Sequence, residues 1–143
     1  MFSDLFGFFS GMLNFSGINW WTLLGGIGLN FVITTFLSLG GTYLAGSEGT
    51  SAFYQQFGPL IMIVAIFVTC AGAGYITAKI ADDVPVKHAF LASLGAVAPL
   101  VFVAVISFNP MLLMLALVAA AGALNGGMLG TPRPRRRPPS NTT

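Results

Sequence analysis

The sequence predicts an all-α integral membrane protein, a bundle of four transmembrane helices, and three observations carry that prediction. Only 7% of the 143 residues are charged while 55% are hydrophobic; a soluble domain averages about one quarter charged. Residues 5–47, 49–78 and 88–132 contain no Lys, Arg, Asp or Glu. Within those stretches lie four apolar runs of the roughly 20 residues that a helix needs to cross the hydrocarbon core. Uncharged runs of this length cannot coat a water-soluble surface, and the same hydrophobicity excludes intrinsic disorder except at the C-terminal end. The runs lack the alternation of a barrel strand, and lipid leaves no partner for an open sheet edge, so the spans are helical.

The chain divides into three parts. Residues 1–17 form the first, with Phe2, Leu5, Phe6, Phe9, Met12 and Leu13 at helical spacing and Ser3, Asp4, Gly7, Ser10 and Asn14 mostly elsewhere. This pattern predicts a short amphipathic helix lying in the membrane interface. Trp20-Trp21 follows at the headgroup boundary, where indoles concentrate. Asp4 stands where a cleavable signal peptide would carry a positive charge, so none is expected.

The membrane domain, residues 18–130, holds span one (20–44), span two (57–78), span three (89–108) and span four (110–130). Gly46-Ser-Glu-Gly-Thr-Ser51 makes a polar first loop. Gly58-Pro59 is expected to open span two, since proline is tolerated in a first helical turn. Lys79 to His88 gathers the polar residues between spans two and three, with Pro85 preventing a continuous helix. Asn109-Pro110 predicts a tight hairpin that makes spans three and four antiparallel neighbours. The last part, residues 131–143, is a Pro/Arg-rich tail expected to be extended, solvated and disordered.

The basic residues predict the topology. Lys79 and Lys87 lie in the second loop, and Arg133, Arg135, Arg136 and Arg137 follow span four, whereas the first loop carries Glu48 and the third no charge. Four crossings put all six basic residues on one side, and the positive-inside rule makes that side cytoplasmic, with both termini. The four arginines are thus topology determinants that can also meet anionic lipid. Nucleic-acid binding is not expected, because no basic face with interleaved aromatics exists outside the tail.

Candidate chemistry is sparse. No acidic or basic residue occupies the centre of a span, where proton-coupled transporters usually place one. His88 is the only histidine; it reads as an interfacial residue beside Lys87, with contact to a pigment or haem held by a partner as the alternative role for imidazole. Asp82-Asp83 lacks the further oxygen ligands of a cation site, and Lys79 predicts a loop salt bridge. Cys70 excludes an intramolecular disulfide or CxxC pair by being alone, and neither it nor Ser93 has a catalytic partner at its depth. No enzyme activity and no cofactor are therefore expected.

Polar residues within the spans are few. Asn30, Thr34 and Ser38 recur every four residues on span one, with Thr69, Ser93 and Asn125 as possible complements on the other spans. Hydrogen bonds between helices in lipid contribute about 0.6 kcal/mol on average, which makes them packing aids, or alternatively a pore lining. Pro99, at the midpoint of span three, frees the carbonyl of Gly95 and predicts a kink there.

Small residues make the clearest pattern. Gly122, Gly126 and Gly130 form a doubled GxxxG repeat flanked by Ala119, Ala123 and Gly127, and Cys70, Gly74 and Ala78 repeat the spacing on span two. Such faces let backbones approach closely in lipid. Span four is therefore the expected helix-packing face.

Gly40-Gly-Thr-Tyr-Leu-Ala-Gly46 and Gly72-Ala-Gly-Tyr-Ile-Thr-Ala-Lys79 echo one another at the ends of spans one and two. Over residues 72–92, the Gly-Tyr-Ile-Thr-Ala-Lys-Ile-Ala stretch followed by Pro85, His88 and Ala89 resembles a pattern in small four-helix bacterial inner-membrane proteins of uncharacterised function. The resemblance implies a bacterial inner-membrane location. The functional expectation is a non-catalytic accessory or scaffold subunit that packs against other membrane proteins or itself, with an oligomeric channel or facilitator for a small solute as the alternative.

Overall fold

A computed structural model describes Gly7 and residues 16–47, 51–81 and 83–131. The interfacial helix expected over 1–17 lies outside the described residues apart from Gly7, Ser16 and Gly17. So does the tail beyond Thr131, with Arg133, Arg135, Arg136 and Arg137.

The described residues are helical without strands: α1 (Trp20–Gly46), α2 (Ser51–Ile80), α3 (Pro85–Ala92), α4 (Leu94–Ser107) and α5 (Pro110–Gly130). Four units are long and apolar enough to cross a membrane, with α3 and α4 together forming span three, Pro85–Ser107.

Sequence chemistry explains where these helices begin. Asn19 caps α1, its side-chain oxygen accepting from the backbone N–H of Trp21 at 3.1 Å and of Thr22 at 3.3 Å. Asn109 repeats the device for α5, accepting from Met111 at 3.0 Å with Pro110 in the first turn. Phe108 closes α4 in the left-handed region at φ 50°, its N–H returning to the carbonyl of Ala104.

Two expected boundaries are corrected. Span two does not open at Gly58-Pro59: α2 starts at Ser51, with Pro59 inside it. The earlier turns have contacts that hold them. The Phe53 and Phe57 rings pair one turn apart with centroids 5.0 Å from each other. Tyr54 covers Gly58 and reaches Gly41 of α1, where a Cβ would come within 2.7 Å of the phenol oxygen.

Span three starts at Pro85 rather than residue 89 and is interrupted at Ser93, while Pro99 lies inside α4. The Ser93 hydroxyl donates to the carbonyl of Phe90 at 2.6 Å, while the Ser93 N–H is shared between Ala89 and Phe90 at 3.1 Å each. Side-chain competition for a helical carbonyl loosens that turn.

The most extensive pairing is between α2 and α5. The apolar core at mid-bundle joins Ile66 and Cys70 of α2, Ala96 and Leu100 of α4, and Leu115, Ala116 and Ala119 of α5, with Leu37 of α1 against its edge. Large side chains such as Trp21, Phe36, Tyr43, Phe102 and Leu117 face outward, as a lipid-facing surface requires.

Candidate functional site

The small residues of span four meet span two at backbone distance. A Cβ on Gly122 would stand 2.6 Å from the carbonyl oxygen of Phe67, and one on Gly130 would stand 2.8 Å from both the Tyr75 carbonyl oxygen and the Ala78 Cβ. On Gly126 it would overlap the carbonyl of Ala71, and on Gly74 the carbonyl of Ala123. The paired numbers rise together along both helices, so spans two and four run parallel. This seam is a backbone-to-backbone contact over three successive turns, which side chains larger than hydrogen would prevent.

Ala119 and Ala123 are fully buried beside the seam. Gly127 turns toward span three instead, where a Cβ would lie 2.6 Å from that of Ala89. The GxxxG face is thus covered by the chain's own span two and is not an outward surface.

Span one packs on spans two and three, with backbone approach at single glycines. Gly26 sits under Ala92 and Thr77, each within 2.8 Å of where its Cβ would be, and Gly95 of α4 lies against the backbone of Ile27. Neither glycine belongs to a repeat, so spacing offered no signal for them.

The polar stripe is divided by the fold. Asn30 is fully buried and Thr34 is 3% exposed, whereas Ser38 is exposed. The Asn30 amide donates to the Gly26 carbonyl at 2.9 Å while its Oδ1 has no hydrogen-bond partner, and the Thr34 hydroxyl faces the Cys70 thiol of span two.

The expected complements on other spans do not reach this stripe. Thr69 donates to Ala65 at 2.6 Å, Ser93 to Phe90, and Asn125 to Ala121 at 2.8 Å while facing outward. Each hydrogen bond stays within its own helix, because a short side chain finds its own i−4 or i−3 carbonyl more readily than a neighbouring helix. Beside Thr34, a cleft of about 310 Å³ opens between spans one, three and four, lined also by Ser38, Thr42, Pro99 and Leu112.

His88, in the first turn of span three, is buried: only 1% of it is exposed. Its ring ties the start of span three to the start of span one. The Asn19 N–H donates to Nε2 at 2.9 Å, and Nδ1 lies 3.2 Å from the Val84 carbonyl oxygen. An N–H can only donate and a carbonyl can only accept, so the proton sits on Nδ1 and the ring is neutral.

Val84 holds that carbonyl in place from the left-handed region, at φ 43°. This conformation is costly for a β-branched residue and persists only where its surroundings determine it. The backbone N–H groups of Lys87 and His88 bond the same carbonyl, and Lys87 Nζ lies 3.3 Å from the Ser16 carbonyl oxygen.

Lys79 is expected to form a loop salt bridge with Asp82-Asp83. Its ammonium lies 5.7 Å from the centroid of the Tyr75 ring, and no ion pair joins it to Asp83 among the described residues. Asp82 lies outside them. Among the described residues, no group of three His, Cys, Asp or Glu side chains converges as a metal site would need.

No known protein family, curated protein or solved structure matches this chain.

Proposed function

We propose that this is a non-catalytic multi-pass membrane protein, an accessory or scaffold subunit that packs against partners in a larger membrane assembly. The observation supporting this reading is the seam between spans two and four. Backbones in contact over three turns make a stiff pair of helices that resists the sliding an alternating-access carrier needs. A stiff, uncharged bundle with large side chains outward offers its partners a fixed shape.

The proposed setting is a bacterial inner membrane with both termini cytoplasmic and the arginines of the tail against anionic lipid. Extraction in gentle detergent followed by mass spectrometry tests the reading. The expected result is a defined set of co-purifying membrane proteins; a protein that runs alone at every detergent concentration would overturn it. A cysteine replacing Gly49 should react with impermeant reagents from outside the cell, and the opposite labelling would reverse the orientation.

One observation favours a second reading, an oligomeric facilitator for a small uncharged solute. The cleft beside Thr34 carries the hydroxyls of Ser38 and Thr42 at its wall, and the buried Asn30 Oδ1 lies at mid-bundle without a partner. The purified protein should then pass such solutes in liposomes, which a scaffold does not.

A further inference from the structure

We propose that His88 is a pH-sensitive latch between the start of span one and the start of span three, closed when the ring is neutral and opened when Nε2 takes a proton. Both ring nitrogens are committed in the closed state. Nδ1–H donates to the Val84 carbonyl, and the Nε2 lone pair accepts from the Asn19 N–H. A proton added from the bulk occupies that lone pair, turning Nε2 into a donor that faces another donor. The Asn19 N–H then loses its acceptor, and a cationic ring stands in a site where 1% of the residue is exposed.

Among the described residues, the charged groups on the elements packed around the ring are Lys87 on the same helix and Lys79 in the last turn of α2. Asp83 is exposed in the preceding turn. The start of α1 and the end of α5 carry no charged side chain within the described residues.

The sign follows directly. The closed state binds one proton fewer than the open state, so closure is favoured at higher pH and lost as pH falls. Opening frees more than one bond. Asn19 is also the N-cap of α1, so its release loosens the first turn of span one, and the contacts of Ser16 with Lys87 and of Gly17 with Val84 lose their anchor.

The test uses the full chain in nanodiscs with Cys70→Ala and a spin label at Ser16→Cys. Between about pH 8 and about pH 5, histidine is the side chain that ordinarily changes charge. The expected result is a mobile spectral component that rises from minor to major on acidification, together with protonation of Nε2 seen in the 15N signals of the imidazole.

His88→Gln can still accept at the Nε2 position and does not titrate, so its label stays immobile throughout. Asn19→Pro removes the N–H at a φ of −80° that proline tolerates, so its label is mobile at every pH. The proposal is overturned if the ring protonates while the label stays immobile. It is equally overturned if the ring stays neutral down to about pH 5, or if His88→Gln mobilises with acid as the native side chain does.

Discussion

Spans two and four touch along three turns through backbone, while span one meets its neighbours mainly through side chains, with backbone approach only at single glycines, and buries an amide oxygen without a partner. The difference shows what organises a bundle in lipid. Apolar side chains have no preference for each other over acyl chains, so close contact depends on where side chains are missing. Where small residues recur every turn, the contact runs the length of the helix. Where a glycine stands alone, the contact is a point, and the residues between points hold whatever the helix happens to place there.

Breaking the seam has the largest expected effect. Gly126→Leu drives a side chain into the Ala71 backbone and should lower stability in detergent by about 3 kcal/mol or more, beyond ordinary overpacking. Met128→Leu, on an exposed side chain of the same helix, should stay within about 0.5 kcal/mol. Equal unfolding curves for the two variants would remove the seam as the organising contact.

A sharper version compares neighbours on span two. Gly74→Ala overlaps the Ala123 carbonyl, whereas Gly72→Ala meets nothing within 4 Å. The first should destabilise by about 1–3 kcal/mol, and the second should be neutral or slightly stabilising, because alanine restricts the unfolded chain.

On the span one side, Gly95→Ala should cost roughly 2 kcal/mol by pushing Ile27 away, less than Gly126→Leu because one point contact is lost. Thr34→Val has a smaller effect. It exchanges a buried hydroxyl whose neighbour on span two is the weakly hydrogen-bonding Cys70 thiol and should change stability by no more than about 1 kcal/mol. A larger loss in thermal unfolding would show that this one contact holds span one to span two.

The smallest effect is expected at the hairpin. Phe108 is 92% exposed at φ 50°, a conformation asparagine adopts more easily. Phe108→Asn should therefore gain about 0.5–1 kcal/mol in thermal unfolding without altering any packing.

Much of the fold was legible because its signals are local. Uncharged length marks a span, Asn109-Pro110 marks the hairpin between spans three and four, and a glycine every fourth residue marks a stripe that can approach another backbone. The boundary of α2 was misread because Pro59 was weighed without Tyr54 and Gly41, whose contact depends on a neighbouring helix. The break at Ser93 was not legible for a similar reason. Pro99 announces itself in the sequence, whereas a serine hydroxyl taking a backbone carbonyl does so only once its rotamer is set by packing.

His88 shows the same limit more strongly. Its position beside Lys87 and between polar residues suggests an interface, and no periodicity connects it with Asn19, 69 residues earlier.

The sequence by itself determined that the chain holds four helices long and apolar enough to cross a membrane and which residues of span four are small enough for backbone contact. Both follow from composition and a period of about 3.6 residues, properties of one helix at a time. Only the tertiary structure decided that span two covers the glycine face, that the polar stripe is split between core and surface, and that His88 is buried with both nitrogens engaged. Those outcomes depend on which helix lies opposite and at what rotation, and a helix's own sequence encodes neither when the surrounding lipid is as apolar as its side chains.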